Sequence, residues 1–452
     1  MPDSTLVIGG GLLTRHVITL SPDSRTPSGF ANNWRLYGTL PFSHIEGAVQ
    51  VLANGEIILA GGHRPGFREQ EMVEMYRLAR HGTADFASFG LNMDTPALAV
   101  QGKRAFMAGG QFSSRTASNI AEIIELATGK VTQIEPVPFA IPVGDAIQLD
   151  DDRVLVKGSS GERGSADSGV PSGALAIYSF STGRWSKVLD VPELALSRLI
   201  GVRHNKALFF APDASMHIVS LADYQIKRLP NVMRKWQDGT VRWLADGRIV
   251  VAGGRVSDGS WRYMMGPSLT QRYRIFQPTV TDLSSTKGEW IQSKSSQGLG
   301  ISAVIDAAGR VITLGYASTD SFSPPMLEMS NPQGKTWQTL PLPDRLTKKA
   351  GDKMLCGYSP ENCSILLVPD PRDTTRELLF LRTGLNLNNW TTMNLWWFDF
   401  VAKRWHPVLE IRGGLEVREV PHDLPAPFSG PDGRMRSLGW HLQTPILWVE
   451  RP

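Results

Sequence analysis

Asn54-Gly55-Glu56-Ile57-Ile58-Leu59-Ala60-Gly61-Gly62 decides how this chain is read. An Asn-Gly pair accepts positive φ at both central positions of a tight hairpin turn, so it marks the start of a returning strand. The apolar run that follows does not alternate with polar residues. That is the pattern of a strand covered on both faces. The closing glycine pair lets the chain bend where another backbone comes close.

Working outward, the same pattern recurs along the chain. Gly102 leads into Ala105-Phe106-Met107-Ala108-Gly109-Gly110, and Asp152-Arg153 into Val154-Leu155-Val156-Lys157-Gly158. Asn205-Lys206 leads into Ala207-Leu208-Phe209-Phe210-Ala211, and Asp246-Gly247 into Ile249-Val250-Val251-Ala252-Gly253-Gly254. Ala308-Gly309, Arg376 and Asp432-Gly433 open three further runs, ending near Gly315, Gly384 and Gly439. Eight occurrences at roughly 45–70 residue spacing indicate a repeat architecture, in which each unit packs only on its neighbours. A second signal closes most units: a turn followed by Trp or a large apolar residue, as in Gly183-Arg184-Trp185, Gly288-Glu289-Trp290, Gly334-Lys335-Thr336-Trp337 and Lys403-Arg404-Trp405. Such closing strands fall near residues 34, 86, 133, 185, 227, 290, 337 and 405. Between the two signals lies an aromatic or apolar strand, seen in Ile177-Tyr178, Ile275-Phe276 and Leu395-Trp396-Trp397-Phe398.

Hairpin strand, glycine pair, aromatic strand and Trp strand together resemble the kelch repeat. The chain is therefore similar to the kelch-repeat, galactose-oxidase-like β-propeller family over nearly its whole length, although the double glycine is intact only at Gly61-Gly62, Gly109-Gly110 and Gly253-Gly254. The resemblance implies an all-β, kelch-type β-propeller occupying residues 1–452 as a single domain. It has eight blades, or seven if the irregular stretch from Lys353 to Gly384 forms one elaborated blade. Arg15 to Ser21 and Trp34 to Gly38 read as third and fourth strands whose first strands come from Leu415–Val420 and Met435–Trp440. The N- and C-terminal strands would then close the ring in one blade, removing the exposed sheet edges. A short helix around Glu69 to Arg80 is the one helical expectation.

The bulk composition narrows the functional classes. With 452 residues, 20% charged and 41% hydrophobic, the chain is globular rather than disordered. The net charge of +4 comes from scattered basic residues, so no nucleic-acid footprint is expected. No stretch approaches the roughly 20 apolar residues of a membrane span. The first residues lack the basic and apolar regions of a signal peptide. A cytoplasmic location follows for the chain as it stands, or a periplasmic or secreted one if a leader has been removed. Cys356 and Cys363 are too few for a disulfide framework or a cysteine metal site; reduced thiols are the expectation, and a bond stapling a β-hairpin in an oxidising compartment is the alternative.

Motifs for chemistry are sparse. Val7-Ile8-Gly9-Gly10-Gly11 lacks the later glycine of a dinucleotide fingerprint and reads as a strand-end bend. The copper radical oxidases that share the resembled fold need a Tyr-His pair and a crosslinked cysteine, neither of which this sequence supplies. Asn389-Trp390-Thr391 is a glycosylation triplet of the kind that arises by chance. No cofactor and no metal are expected.

In the resembled fold, functional groups gather at one end of a central channel, on the loops leaving each second strand and those leading into each first strand. His63, Arg64, Asp145, Arg163, Arg198, Asp238, Arg255 and Tyr316 are the ligand-binding candidates at that end. Arg255 and His63 head the set because each directly follows an Ala-Gly-Gly. Arginine forks suit carboxylates, and aromatic rings suit sugars or protein hot spots. The function expected first is protein binding through one face, as an interaction, adaptor or partner-neutralising module. The alternative is a carbohydrate-active enzyme, a lyase or mutarotase acting on acidic glycans. The tryptophans Trp390, Trp396, Trp397 and Trp405 are expected to pack between blades rather than to form a sugar platform.

Overall fold

The computed structural model describes the backbone of seven strands between residues 5 and 88. It also covers 96–230, apart from 111–117, 140, 142, 160–172, 196 and 212–214. Beyond these it describes 236–237, 240–252, 255–256, 274–279, 283, 285, 287–292, 299–316, 325–343, 346, 363–370, 373–383, 392–412 and 446–449. The architecture is all-β, and every strand pairing is antiparallel.

Eight four-stranded sheets account for nearly all of the strands, each hydrogen-bonded in the order first, second, third, fourth. Sheet 1 holds Ile446–Val449, Thr5–Gly9, His16–Leu20 and Trp34–Thr39. Sheet 2 holds Ala48–Val51, Ile57–Ala60, Glu74–Ala79 and Gly82–Ser88. Sheet 3 holds Ala97–Gln101, Arg104–Ala108, Ala121–Glu125 and Val131–Gln133, and sheet 4 holds Val143–Gln148, Arg153–Ser159, Ala174–Ser179 and Arg184–Asp190. Sheet 5 holds Arg198–Arg203, Lys206–Phe210, Met216–Ser220 and Ile226–Arg228. Sheet 6 holds Thr240–Trp243, Ile249–Ala252, Arg274–Pro278 and Gly288–Gln292. Sheet 7 holds Leu299–Ile305, Val311–Tyr316, Pro325–Ser330 and Trp337–Leu340, and sheet 8 holds Cys363–Asp370, Asp373–Thr383, Thr392–Asp399 and Arg404–Arg412. A short ribbon pairs Trp236–Gln237 with Arg255–Val256.

Seven of the apolar runs fall on second strands, and the eight expected closing positions fall in or beside the fourth strands. The reason for the unbroken runs is visible in Ala105-Phe106-Met107-Ala108, all fully buried. Phe106 and Ala108 join a core shared with sheet 4, while Ala105 and Met107 point the opposite way. Similar cores fill the seams between sheets 4 and 5, 5 and 6, 6 and 7, and 7 and 8. From sheet 2 to sheet 8, each first strand lies beside the first strand of the next sheet. Sheets 3 to 8 thus pack face to face in succession, with their first strands side by side.

The glycine pair has a steric cause at Gly109. Its φ is +65°, and a Cβ there would come within 2.3 Å of the Ile141 Cβ. Gly110 N donates to Ile141 O at 2.7 Å.

Two expectations are corrected. Both termini do share one sheet, since Thr5–Gly9 pairs with Ile446–Val449. However, the N-terminal segment supplies three of its strands and the C-terminal segment only the first. Val7-Ile8-Gly9-Gly10 is that sheet's own run-and-glycine signature, so Thr5–Gly9 is its second strand. Leu415–Val420 and Met435–Trp440 lie outside the described residues. The expected helix near Glu69 to Arg80 is instead the strand Glu74–Ala79, with Tyr76 opposite Leu59. Pairing to the apolar run overrides a local composition that favours helix.

Candidate functional site

The two ends of the sheets are built differently. At one end lie the turns joining first to second and third to fourth strands; most are short, and several are internally tied. Asp150 Oδ1 accepts from the backbone N–H of Asp152 and Arg153 at 3.0 and 2.8 Å, while its Oδ2 accepts from Arg153 Nε at 2.7 Å. Asp246 repeats this with Arg248, taking the backbone N–H at 3.1 Å and Nε at 2.8 Å. Asp306 does the same with Arg310, also capping Ala308 N. In these three turns one aspartate closes the turn and fixes the arginine at or just before the start of the second strand. Arg248 then donates to Pro332 O and Ala308 O of sheet 7, joining neighbouring turns.

A wider tie crosses three sheets at this end. Arg242, on the first strand of sheet 6, donates through Nη1 to Ile305 O at 2.7 Å and to both Glu377 oxygens at 2.8 and 3.0 Å. Glu377 Oε2 also accepts from Ala307 N at 2.7 Å. The closing tryptophans act likewise between sheets. Trp185, Trp290 and Trp405 each donate the indole N–H to a carbonyl at the exit of the preceding sheet: Glu135 O at 3.0 Å, Pro230 O at 2.6 Å and Pro341 O at 2.7 Å. The Pro-containing links after the fourth strands hold these acceptors in place. Trp396, Trp397 and Trp405 are packing residues, with Trp396 and Trp405 in or against the core between sheets 7 and 8. Trp390 lies outside the described residues.

The opposite end carries the connections between second and third strands. The four longest span 61–73, 109–120, 160–173 and 253–273 and the shortest 211–215, against 102–103 and 204–205 for the shortest hairpins of the turn end and 21–33 for its longest connection. Sequence reasoning placed its candidates here. Asp145 and Arg198 are the two whose side chains are described, and the fold brings their strands together. Asp145 Oδ2 accepts from Leu199 N at 2.9 Å, so the first strand of sheet 4 is bonded to the first strand of sheet 5. Arg198 is exposed, with its guanidinium 5.7 Å from the centre of the Phe210 ring. Arg255 pairs with Gln237 in the two-stranded ribbon, next in sequence to Asp238, so those two candidate segments are also joined. Tyr316 ends the second strand of sheet 7, opposite Leu299 and Pro325. His63, Arg64, Arg163 and Asp238, and the side chains of Arg255 and Tyr316, lie outside the described residues.

Sequence reasoning missed the most unusual group at this end. Lys157 sits opposite Asp145 in the strand register and is 1% exposed. It shares its sheet face with Leu155 and its register partner Leu175, both members of the core between sheets 4 and 5. Burial pushes its ammonium down from 10.5 to about 8, and the charge of Asp145 opposes that fall. The signal was present in Val154-Leu155-Val156-Lys157: a lone charge inside a run whose two faces are both buried. Among the described residues, no group of three or more His, Cys, Asp or Glu is arranged to hold a metal ion. Among the same residues, no helix is long and apolar enough to cross a membrane.

No family model and no curated protein matches the chain. Among solved structures, one described as "Structure of YjhT" is similar over 66% of this chain and 98% of its own, at 14% identity and a TM-score of 0.39. The likeness is one of β-rich architecture.

Proposed function

We propose that the eight sheets are the blades of one kelch-type propeller, and that the chain is a protein-binding module working through its loop end. The ring is supported by sheet 8. Leu379, Leu381, Trp396 and Phe398 face sheet 7, yet Leu366, Phe380 and Trp397 on the other face are also buried, at 0–5% exposure. Sheet 1, tied through Ile446–Val449 to the C-terminal segment, is the partner that a ring supplies for that face.

The difference between the two ends carries the functional reading. The turn end spends its charged groups on its own turns and neighbours. The loop end presents long connections of unequal length on a rigid frame, which is where binding residues concentrate. Those connections bring Arg64, Arg163, Arg255, Phe67, Trp261 and Tyr263, residue types that dominate the centres of protein interfaces.

Photo-crosslinking from the two ends tests this reading. A crosslinker at Arg255 is expected to capture a discrete protein from the native extract, and one at Arg184 on the turn end is not. Equal capture from both positions would remove the loop end as the binding face. Saturable binding of an acidic polysaccharide, lost in Arg198→Ala and Arg255→Ala, would replace the protein partner with the glycan reading.

A further inference from the structure

We propose that the seam between sheets 4 and 5 is a proton-controlled weak seam, closed when Lys157 is neutral and biased towards opening at its loop end when Lys157 is charged. This rests on the packing of the seam and not on what the loops bind.

The seam is an otherwise apolar layer of Leu155, Leu175, Ile177, Phe209 and Val219. Lys157 enters it from the second strand of sheet 4. Among the described residues, the charged and titratable groups on this seam are few. Asp145 lies beside Lys157 on the first strand of sheet 4. His217 lies on the third strand of sheet 5, on the face that carries Phe209 and Val219, and is 6% exposed, with the exposed Arg228 as its register partner on the fourth strand. Arg153 and Tyr224 interact with each other towards the turn end.

Desolvation outweighs the attraction of Asp145, so the closed seam binds the Lys157 proton less tightly than water-exposed lysine does. Any state that hydrates Lys157 therefore gains a proton's worth of preference below about pH 8. Opening at the loop end hydrates it at least cost. Among the described residues, the Asp145–Leu199 hydrogen bond ties the two sheets there, and a water can replace it. Such an opening would carry Arg198 and the adjoining connections with it, and so would alter the presentation of the loop end.

Hydrogen exchange on the full chain, corrected for the intrinsic pH dependence of exchange, tests this. Amides of Val154–Lys157 and Leu199–Val202 are expected to gain about tenfold in protection between pH 7 and pH 9. Amides of the seam between sheets 5 and 6, around Leu208 and Val251, are expected to stay level. Lys157→Met should be well protected at both pH values. Asp145→Asn, which keeps an acceptor for Leu199 N and removes only the charge, should begin its rise at lower pH. This variant retains a readout if Lys157→Met fails to fold. A level wild-type profile at the 4/5 seam, a Lys157→Met profile with the wild-type rise, or an Asp145→Asn profile that is unmoved would each overturn the proposal.

Discussion

The seam between sheets 7 and 8 and the seam between sheets 4 and 5 solve the same packing problem in different ways. The first is built from Ile312, Leu314, Leu327, Leu379, Leu381, Trp396 and Phe398, nearly all fully buried. Rings pack edge to face at its rim, with Phe398 and Phe400 centred 5.0 Å apart. The second has a comparable apolar layer but admits an ammonium and an imidazole, Lys157 and His217. The 7/8 seam is what cohesion alone selects, since apolar contact is non-directional and tolerant. The 4/5 seam gives up some of that cohesion for buried groups whose charge can change. Departures of this kind, where a local rule is broken inside an otherwise consistent frame, concentrate where a protein does something besides fold. They also occur here at the loop end, away from the tied turns.

The comparison breaks most visibly if the apolar seam is opened. Phe398→Ala removes a side chain 1% exposed and leaves a cavity between two sheets. The expected loss is about 3–5 kcal/mol, read from the urea midpoint. A loss of under about 1 kcal/mol would mean that the neighbouring rings collapse into the space and that the seam is not the close-packed layer described.

Next in size is the tie across sheets 6, 7 and 8. Glu377→Ala leaves the Arg242 guanidinium, 19% exposed, with Ile305 O alone and leaves Ala307 N–H without its acceptor. A loss of about 2–3 kcal/mol is expected, because the orphaned groups stay out of water. Arg242→Met with Glu377→Met should recover much of it. If the double variant is as unstable as the single, the pair contributes its own attraction rather than merely avoiding an unpaired charge.

Lys157→Met sharpens the contrast between the seams because its sign is opposite. The folded chain holds this proton less tightly than the unfolded chain, at about 8 against 10.5. Between those values the unfolded state binds more protons, so wild-type stability rises with pH, by roughly 3 kcal/mol in full. Methionine fills a similar volume without the charge, so the variant is expected to be more stable than wild type at pH 7 by about 1–3 kcal/mol. Its stability should be level from pH 8 to pH 10.5. Thermal midpoints across that range check both the sign and the window.

Much of this frame was legible in the sequence, and the parts that were not share a physical cause. Second strands were readable because burial on both faces removes alternation, and because a turn pair such as Asp246-Gly247, with Gly247 at φ +87°, precedes the run. Fourth strands were readable because Trp185, Trp290 and Trp405 each meet a fixed need, an indole donor aimed at a carbonyl before a proline link. Thr5–Gly9 was misplaced because strand rank within a sheet depends on a partner more than 400 residues away, which no local pattern encodes. The strand Glu74–Ala79 was misread because its pairing with Ile57–Ala60, not its own composition, decides it. Of the candidate residues, Asp145 and Arg198 were chosen for their position near strand starts, and the fold brings those two strands together. Lys157 was passed over because it sits inside an apolar run, where its face is fixed by the register with Leu175. Arg242 and Glu377, 135 residues apart, could be joined only by the fold.

The smallest expected effect tests whether the turn end is as self-contained as it looks. In Asp246→Ala the turn loses the acceptor for Arg248 N and the partner of Arg248 Nε. The aspartate is 53% exposed, so water replaces most of what is removed, and the cost is expected to be about 0.5–1 kcal/mol. Burial raises the Asp246 carboxyl, but the hydrogen bonds and charge of Arg248 hold it below the ordinary 3.8 overall. A lowered acid stabilises the fold above its unfolded value and loses that contribution as pH falls through the folded one. The difference between variant and wild type should therefore shrink below about pH 4 and be constant above pH 5. Arg248 still reaches Pro332 O and Ala308 O, so the seam between sheets 6 and 7 should keep its exchange protection in the variant. Loss of that protection would mean that a single exposed aspartate positions the arginine linking two sheets, so that the clip within one turn and the tie between sheets 6 and 7 act as one unit.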